Sequence, residues 1–479
     1  MWERHYRTFA AAILVLAAFN VGFRLDREIL TTWDETLYAT TAAEMLQSGE
    51  WIATTFNHQI DYYNAKPPLN VWLIAAAFKA FGISLLSLRL ASAVSAWLTI
   101  ALLQWWCRRC FGAATALASS LVLATMFAFF YLHSGKSGNM DAMFTLLILL
   151  TAIALWHGER QPRSFVWIGP LIALSFLLRG MGCLMPAAIV VLTFVLRRGV
   201  AARERAPLAG GLALGAAMVA SWVAARYTRD GWRFVRELVL QDFVNRVAEP
   251  LDGHGGGIFY YLDTLQRDHY DWMTAASVVL ALAVSTTGWR ALREASSRID
   301  PPLLRVLVVW AAVAFVMPIA MATKLGWYLN PFYPVFAIGI GGAIVWGLST
   351  LAHLGGDLGG DSAPRSRWRA AVAIVVLACG VAEEKLLWYS YNKRNMHPTA
   401  QGLLMTAGDM RGARVFRPKW EGADQFVLEH MRGGRAALGG VAEFISDGAA
   451  GDLLLTDTVP PGGALTEVGR EGRFVLYAK

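Results

Sequence analysis

Long apolar stretches recur along residues 1–390, and this recurrence constrains the possible fold more than any other feature of the chain. A helix needs about 20 apolar residues to cross a bilayer. Of the 479 residues, 56% are hydrophobic and only 16% are charged, whereas soluble proteins carry about 25% charged residues. The sequence therefore predicts a polytopic α-helical membrane protein.

Basic residues in the short loops predict how the chain is threaded. They account for the net charge of +8, which favours membrane lipids and excludes nucleic acid as the expected partner. Because cytoplasmic loops collect Lys and Arg, the segment "MWERHYR" places the N-terminus inside and Asp34 outside. The apolar segment "PPLNVWLIAAAFKAFG" is short and would invert every later basic loop, so it is predicted to be interfacial or re-entrant. The other stretches alternate consistently and predict about eleven spans.

The character of the sequence changes near residue 390. Glycine and charge increase, and short β-type runs appear in "ARVF", "DLLLTD" and "RFVLYAK", with a helical pattern in "ADQFVLEHM". Residues 391–479 are therefore predicted to form a small soluble α/β domain on the outer side, after a membrane domain at residues 1–390.

Several ionisable residues fall on the predicted outer side, in short turns with apolar surroundings. An ionisable residue at membrane depth is costly and usually marks a functional site. Cations beside acids suit a phosphate leaving group and an activated acceptor, which predicts a charged reaction or transport pocket at the outer leaflet. The residues are Asp34, Glu35, Lys66, Lys136, Asp141, Arg179, Asp242, Arg246, His254 and Lys324.

A family resemblance extends over about residues 1–345. It is carried, in order, by "WDETLYATTAAEMLQSGEWI", "YYNAKPPLNVWLIAAAFKAFG", "LRLAS", "MDAMFTLLILL", "LSFLLRGMGCLMPA", "FVNRVAEPLDGHGGGIFYYLDTL" and "KLGWYLNPFYP". These segments resemble elements of the lipid-linked-sugar glycosyltransferases of the aminoarabinose-transferase and protein O-mannosyltransferase superfamily. The resemblance implies a GT-C fold, with a helical membrane domain, interfacial helices in the first periplasmic loop at residues 34–84, and a soluble outer domain.

The resemblance implies catalytic roles for two acids. Asp34 matches the family acid that faces the active cavity at the end of the first span, and Asp141 matches a second acid at the start of the fourth. Asp34 would be a general base toward a hydroxyl acceptor, or would position a cation or the sugar if the acceptor is a phosphate. Helix capping is the alternative for both acids. Glu35 is expected mainly to support the following helix, with a tentative role in binding substrate or metal.

Four cations are predicted to bind the donor phosphate, namely Lys66, Arg179, Arg246 and Lys324. Lys66 precedes two prolines, which restrict the backbone and present its side chain rigidly. Arg179 stands where many relatives carry lysine, and arginine can bind a phosphate bidentately. The alternatives are interfacial snorkelling for Lys66 and a plain turn position for Arg179.

A divalent metal is an open expectation. His254 lies among glycines and is a tentative ligand of substrate or metal. Some relatives bind a metal with this histidine and a glutamate just before the Lys-Pro pair, where this chain has Ala65. Asp34 or Glu35 would then have to supply the oxygen ligand. The metal, if present, would be Zn, Mg or Mn, and no cofactor is certain.

The resemblance implies an enzyme of the bacterial inner membrane, with its active site and C-terminal domain facing the periplasm. It would move a sugar from a polyprenyl-phosphate donor to a lipid A, lipopolysaccharide-type or other envelope glycan acceptor. The alternatives are a protein O-mannosyltransferase-like enzyme, a transporter or flippase of lipid-linked saccharides, and an inactive relative serving in an assembly. Charges collected on one face favour an enzyme, because a transporter would place polar groups at the bilayer centre. The sugar and the acceptor stay open.

Overall fold

The computed structural model describes residues 3–31, 33–62, 66–250, 253–357, 362–396, 399–458, 460 and 465–479. Within these ranges, the side chains of residues 241–243, 246, 355–357, 362–364 and 393–396 are not described.

The first part of the chain forms one apolar helix, followed by two further helices and a hairpin. These elements are α1 (Tyr6–Gly22), α2 (Asp34–Ser48), β1 (Thr55–Phe56), β2 (Gln59–Ile60) and α3 (Leu69–Phe81). With 13 residues, α3 is about 20 Å long, whereas the hydrocarbon core of a bilayer is about 30 Å thick. Its length therefore agrees with the interfacial segment predicted at residues 34–84.

The next helices form the centre of the membrane domain. They are α4 (Leu85–Phe111), α5 (Ala113–Ala124), α6 (Phe127–Tyr131), α7 (Asp141–Gly158), α8 (Ile168–Arg179), α9 (Leu184–Leu196) and α10 (Ala202–Asp230). Two short helices and four long ones follow, namely α11 (Arg233–Val239), α12 (Arg246–Ala248), α13 (Tyr260–Ser297), α14 (Pro301–Ala320), α15 (Tyr333–Asp357) and α16 (Ser362–Met396).

The length and composition of these helices define a multi-pass membrane protein. Among the described residues, seven helical segments are long and apolar enough to cross a membrane, and three shorter helices are also apolar. One of the seven, Pro162–Leu196, is interrupted by a turn between α8 and α9. The count of about eleven spans stays a prediction.

Close packing of the helices depends on small residues. A Cβ atom at Gly169 in α8 would lie 1.8 Å from the carbonyl oxygen of Gly211 in α10. A Cβ atom at Gly341 in α15 would lie 2.5 Å from Ser119 Oγ in α5. Membrane helices approach one another closely through such residues, so a larger side chain at either position would push the helices apart.

The C-terminal residues form a five-stranded sheet with three short helices. These elements are α17 (Ala400–Thr406), β3 (Arg414–Arg417), α18 (Gly422–Phe426), β4 (Arg435–Leu438), α19 (Val441–Asp447), β5 (Leu453–Thr456), β6 (Thr466–Glu471) and β7 (Phe474–Ala478). The strand order is β4-β3-β5-β7-β6, in which β3 is parallel to β4 and β5 and the other pairs are antiparallel.

The predicted small α/β domain is confirmed. The apolar runs predicted β3, β5 and β7, but they missed β4 and β6, whose residues are mostly exposed or half-buried. The predicted boundary at residue 390 falls inside α16, which continues to Met396. The first element after α16 is α17, which begins at Ala400, nine residues after the predicted start of the domain at residue 391.

The C-terminal domain packs on the surface helices that follow α1. The ring centroids of Phe426 in α18 and Phe78 in α3 are 6.5 Å apart. The side-chain amide of Gln401 accepts a hydrogen bond from the Leu30 nitrogen at 2.7 Å and donates one to the Leu30 oxygen at 2.9 Å. These contacts join the domain to the segment that leads into α2.

Candidate active site

A cavity of about 310 Å³ lies where the first residues of α2 and α7 meet the α8–α9 turn and the α14–α15 connection. Four of the predicted site residues line it, namely Asp34, Lys66, Asp141 and Arg179. Most of the other lining residues are apolar, and they include Met140, Met181, Met185, Met317 and Met321. Charges from four separate parts of the chain thus converge inside an apolar wall.

Asp34 is the first residue of α2, and Trp33 occupies the N-cap position. No side-chain hydrogen bond caps this end of the helix, so the alternative role of Asp34 as a helix cap is not realised. The helix dipole favours negative charge at this position. The Asp34 side chain is 44% exposed and lines the cavity, which suits a carboxylate that acts on a bound molecule.

His133 faces Asp34 from the loop between α6 and α7. Its Nδ1 lies 3.7 Å from Asp34 Oδ2. Its ring stacks on Trp327, with centroids 3.6 Å apart and an angle of 7° between the planes. Burial lowers the pKa of His133, and the negative charge of Asp34 opposes this effect. The imidazole is therefore neutral at neutral pH.

Asp141 and Arg179 form an ion pair in the wall of the cavity. Asp141 is the first residue of α7, and Arg179 is the last residue of α8. The guanidinium lies over the rings of Phe144 and Tyr328, at 5.2 and 5.3 Å from their centroids. The Arg179 side chain is 16% exposed. Asp141 therefore holds Arg179 in place while the cation still reaches the cavity.

Lys66 reaches the cavity from the segment that leads into α3. Pro67 and Pro68 follow it, and Pro68 takes the N-cap position of α3. This placement agrees with the predicted rigid presentation of the lysine. Ala65, which stands where relatives carry a glutamate, lies outside the described residues.

The ammonium of Lys324 does not lie where its predicted role as a phosphate contact would require. Its ammonium donates to the carbonyl oxygens of Ile319, at 2.5 Å, and of Met321, at the C-terminal end of α14. The last carbonyls of a helix have no partner within the helix, so the lysine satisfies them. Lys324 is buried and is not among the described lining of the cavity. The structure thus favours a helix-capping role and does not support phosphate binding.

His254 and Arg246 are not part of the described lining of the cavity. His254 is exposed. Its backbone carbonyl oxygen accepts a hydrogen bond from the backbone nitrogen of Lys324 at 2.8 Å. Arg246 begins α12, but its side chain is not described; the next residue, Val247, does line the cavity. The predicted phosphate contact of Arg246 therefore stays a prediction.

The predicted divalent metal is compared with the clusters of ligating side chains in the described residues. Within the described part of the chain, no group of three or more His, Cys, Asp or Glu side chains lies close enough to hold an ion. Zn, Mg or Mn stays an open expectation, and no chemical step is assigned to a metal.

Glu35 requires a correction, because its carboxylate does not face the cavity. It is fully buried and accepts hydrogen bonds from Arg89 Nε at 2.7 Å and from the Gly138 nitrogen at 2.8 Å. It also accepts one from the Thr31 nitrogen at 2.9 Å. Glu35 therefore joins α2 to α4 and to the loop before α7, rather than binding substrate or metal.

The sequence patterns do not single out Arg89 or His133, which the structure places at or beside the site. Arg89 is a fully buried arginine in the apolar helix α4, and a charge inside such a helix implies a partner. That signal was present in "LRLAS". For His133 the only signal was its position before the glycine-rich turn that leads to Asp141.

The arrangement of helices and sheet domain defines a class of fold. The chain superposes on crystal structures of ArnT from Cupriavidus metallidurans, one bound to undecaprenyl phosphate and one in the apo state. Each match has a TM-score of 0.66 at 19% sequence identity and covers 98% of this chain and 97% of the other. The predicted GT-C fold is therefore confirmed.

Sequence comparisons agree with this fold. Residues 65–224 match the family described as dolichyl-phosphate-mannose-protein mannosyltransferase. An undecaprenyl phosphate-alpha-4-amino-4-deoxy-L-arabinose arabinosyl transferase of Pseudomonas fluorescens is 28% identical over 350 residues, which are 69% of this chain and 56% of the relative. A transferase of the same name from Pseudomonas savastanoi is 31% identical over 263 residues, which are 53% of this chain and 48% of that relative. The chain thus spans less than two thirds of the length of these relatives. The resemblance to lipid-linked-sugar glycosyltransferases is confirmed.

Proposed function

We propose that this protein is a glycosyltransferase that moves a sugar from a polyprenyl-phosphate donor to an envelope acceptor of the lipid A, lipopolysaccharide or related glycan type. The observation that carries the proposal is the convergence of Lys66, Arg179 and Asp34 on one apolar cavity. Cations suit the phosphate, the apolar wall suits the prenyl chain, and a carboxylate suits the acceptor.

The cations act on the bond that breaks. The acceptor oxygen attacks the anomeric carbon of the sugar, and the bond from this carbon to the phosphate oxygen breaks, so that the lipid phosphate leaves with the electron pair. Arg179 and Lys66 stabilise the negative charge that grows on the phosphate. Such electrostatic stabilisation is strong in a site that excludes water.

The two acids have different tasks in this reaction. Asp34 takes the proton of a hydroxyl acceptor as that oxygen attacks. If the acceptor is an anionic phosphate, no base is required, and Asp34 orients the sugar or a cation. Asp141, for which the family resemblance implies a catalytic role, acts through its ion pair with Arg179. It orients the guanidinium toward the donor phosphate.

Similar proteins support this class of substrate. The Pseudomonas relatives are named for undecaprenyl phosphate and 4-amino-4-deoxy-L-arabinose, and one matching crystal structure holds undecaprenyl phosphate. We infer a donor of the same lipid class for this chain, and a location in the bacterial inner membrane. The sugar itself stays open.

The test is a transfer assay with the protein in liposomes. Polyprenyl-phosphate donors with different sugars are offered with lipid A, and mass spectrometry measures released polyprenyl phosphate and glycosylated lipid A. We expect both products in equal amounts with one donor, and we expect Lys66→Ala to reduce them. Lys79→Ala, an exposed lysine on the neighbouring α3, is the matched control and should behave like the wild type.

The same assay separates the alternative functions. An intact donor that moves to the opposite leaflet would identify a flippase and would overturn the proposal. Transfer to an added peptide, in place of lipid A, would identify a protein O-mannosyltransferase-like enzyme. No consumption of any donor would contradict the assignment as a transferase.

Orientation is tested by labelling single cysteines in a variant without the four native ones. Gln47 and Ala450 are exposed on the proposed periplasmic side, and Ala202 is exposed near the proposed cytoplasmic side. With the outer membrane made permeable, an impermeant reagent should label Gln47→Cys and Ala450→Cys but not Ala202→Cys. The reverse pattern would overturn the periplasmic assignment of the active site.

A further inference from the structure

His133 is held in one orientation by its backbone. It follows α6 and adopts a left-handed conformation with φ of 52°, which non-glycine residues adopt at a cost unless the surroundings enforce it. The preceding carbonyl, that of Leu132, accepts a hydrogen bond from the side-chain amide of Asn330 at 2.7 Å. The turn that carries the imidazole is therefore fixed from the α14–α15 connection.

The ring of His133 is held by the same connection. Trp327 lies three residues before Asn330, and its indole stacks face to face on the imidazole at 3.6 Å. Trp327 also lines the cavity. Backbone and ring are thus held by one segment, so that the imidazole has little freedom to turn away from Asp34.

The nitrogen that faces Asp34 has no other polar contact among the described residues. His133 Nδ1 is buried and makes no hydrogen bond within the described chain. Asp34 Oδ2 lies 3.7 Å from this nitrogen, which is longer than a hydrogen bond. A buried polar nitrogen of this kind is costly, and a small movement of the half-exposed Asp34 side chain would satisfy it.

We propose that His133 is the positioning residue of Asp34, and that its Nδ1–H donates to one oxygen of the Asp34 carboxylate when substrates are bound. The other oxygen is then directed into the cavity, toward the acceptor. This inference rests on the proposed transferase function. The proton of the acceptor hydroxyl goes to Asp34, and His133 keeps its own proton throughout, so that it acts through Asp34 and not on the sugar.

Two substitutions separate the nitrogen from the stacking. His133→Phe keeps an aromatic ring to stack on Trp327 but removes Nδ1. His133→Asn removes the ring but places its amide nitrogen, one bond from Cγ, where Nδ1 lies, and Asn tolerates the left-handed backbone. We expect His133→Phe to lower kcat about tenfold to a hundredfold, as the loss of a hydrogen bond to a charged group implies, with an unchanged KM for the donor. His133→Asn should recover most of the loss.

A double-variant cycle with Asp34 supplies the decisive readout. If His133 acts through Asp34, then His133→Phe should cause little further loss in an Asp34→Asn background. Multiplicative losses, or a His133→Phe variant with the kcat of the wild type, would overturn the inference. A wild-type protein that consumes no donor would instead contradict the proposed function. Thermal unfolding of each variant confirms that the compared proteins are folded.

Discussion

The two ends of α7 carry the same pair of groups in different surroundings. At its first residue, Asp141 pairs with Arg179, and these side chains are only 5% and 16% exposed. Just beyond its last residue, Arg160 pairs with Asp300 at 2.6 Å, and these side chains are 46% and 38% exposed. Each arginine also lies over an aromatic ring. The chemical groups are thus alike, and their surroundings distinguish them.

This difference bears on which of the two charged pairs takes part in the proposed reaction. An exposed ion pair is screened by water and contributes little, so the Arg160 pair serves mainly to join two helix ends. The Arg179 pair lies in an apolar wall, beside Asp34 and Lys66 from other parts of the chain. Charges act more strongly on a bound phosphate in such a site. Convergence of elements on a cavity, rather than the ion pair itself, indicates the chemistry.

The largest effect is expected from removing the negative charge in the cavity. Asp34→Asn keeps the size of the side chain, and we expect turnover to fall by at least about a hundredfold, as loss of a general base implies. Asp300→Asn makes the same change next to α14 at the opposite end of α7 and should leave turnover within about twofold of the wild type, as for a surface position. Initial rates of donor consumption measure both. Equal rates for the two variants would show that the two ends of α7 do not differ in their importance for turnover.

The next effect concerns stability rather than turnover. Glu35→Gln leaves the fully buried Arg89 without its counter-ion, and removing one partner of a buried pair costs about 3 kcal/mol or more. Glu3→Gln breaks the exposed pair with Arg108 and should cost less than about 1 kcal/mol. Thermal unfolding in detergent measures the stability of the Glu35→Gln and Glu3→Gln variants against the wild type. A Glu35→Gln variant as stable as the wild type would show that the buried pair has no structural role.

The smallest effect is expected on the pH dependence of the stability of the C-terminal domain. Burial lowers the pKa of His430. The negative charges of Glu429 and Glu44 oppose this effect, and the positive charge of His58 adds to it. The unfolded chain therefore binds a proton more readily than the folded chain, so that stability falls as pH falls below about 6.5. His430→Gln should reduce the loss of stability between pH 7.5 and 5.5, whereas the exposed His5→Gln should not. An unchanged pH dependence in His430→Gln would contradict this assignment.

The sequence predicted much of the architecture because its signals are local. Apolar length and loop charge predicted the helices, and the family segments placed Asp34, Lys66, Asp141 and Arg179, all of which line the cavity. Each of these residues lies at a helix end or a proline turn, where neighbours in the sequence decide how the side chain is presented.

The remaining features depend on partners that are distant in the sequence. The contact of Glu35 with Arg89, 54 positions away, has no local signal, so the sequence alone leaves a ligand role open for Glu35. The orientation of the end of α14 cannot be seen in "ATKLGWYL", so the sequence predicts a phosphate contact for Lys324 and not the contacts with the carbonyl oxygens of that helix end. The stacking of His133 on Trp327, nearly 200 residues later, likewise has no local signal, so the sequence does not single out His133.

Under the proposed function, the Arg179 pair belongs to a phosphate-binding site and the Arg160 pair does not. Binding of undecaprenyl phosphate, measured by native mass spectrometry, tests this claim directly with Arg179→Gln and Arg160→Gln. We expect Arg179→Gln to weaken binding at least about tenfold, as the loss of a charged hydrogen bond implies, and Arg179→Lys to retain most of it. Arg160→Gln should bind like the wild type. Equal binding by the two glutamine variants, or weaker binding by Arg160→Gln alone, would contradict the account.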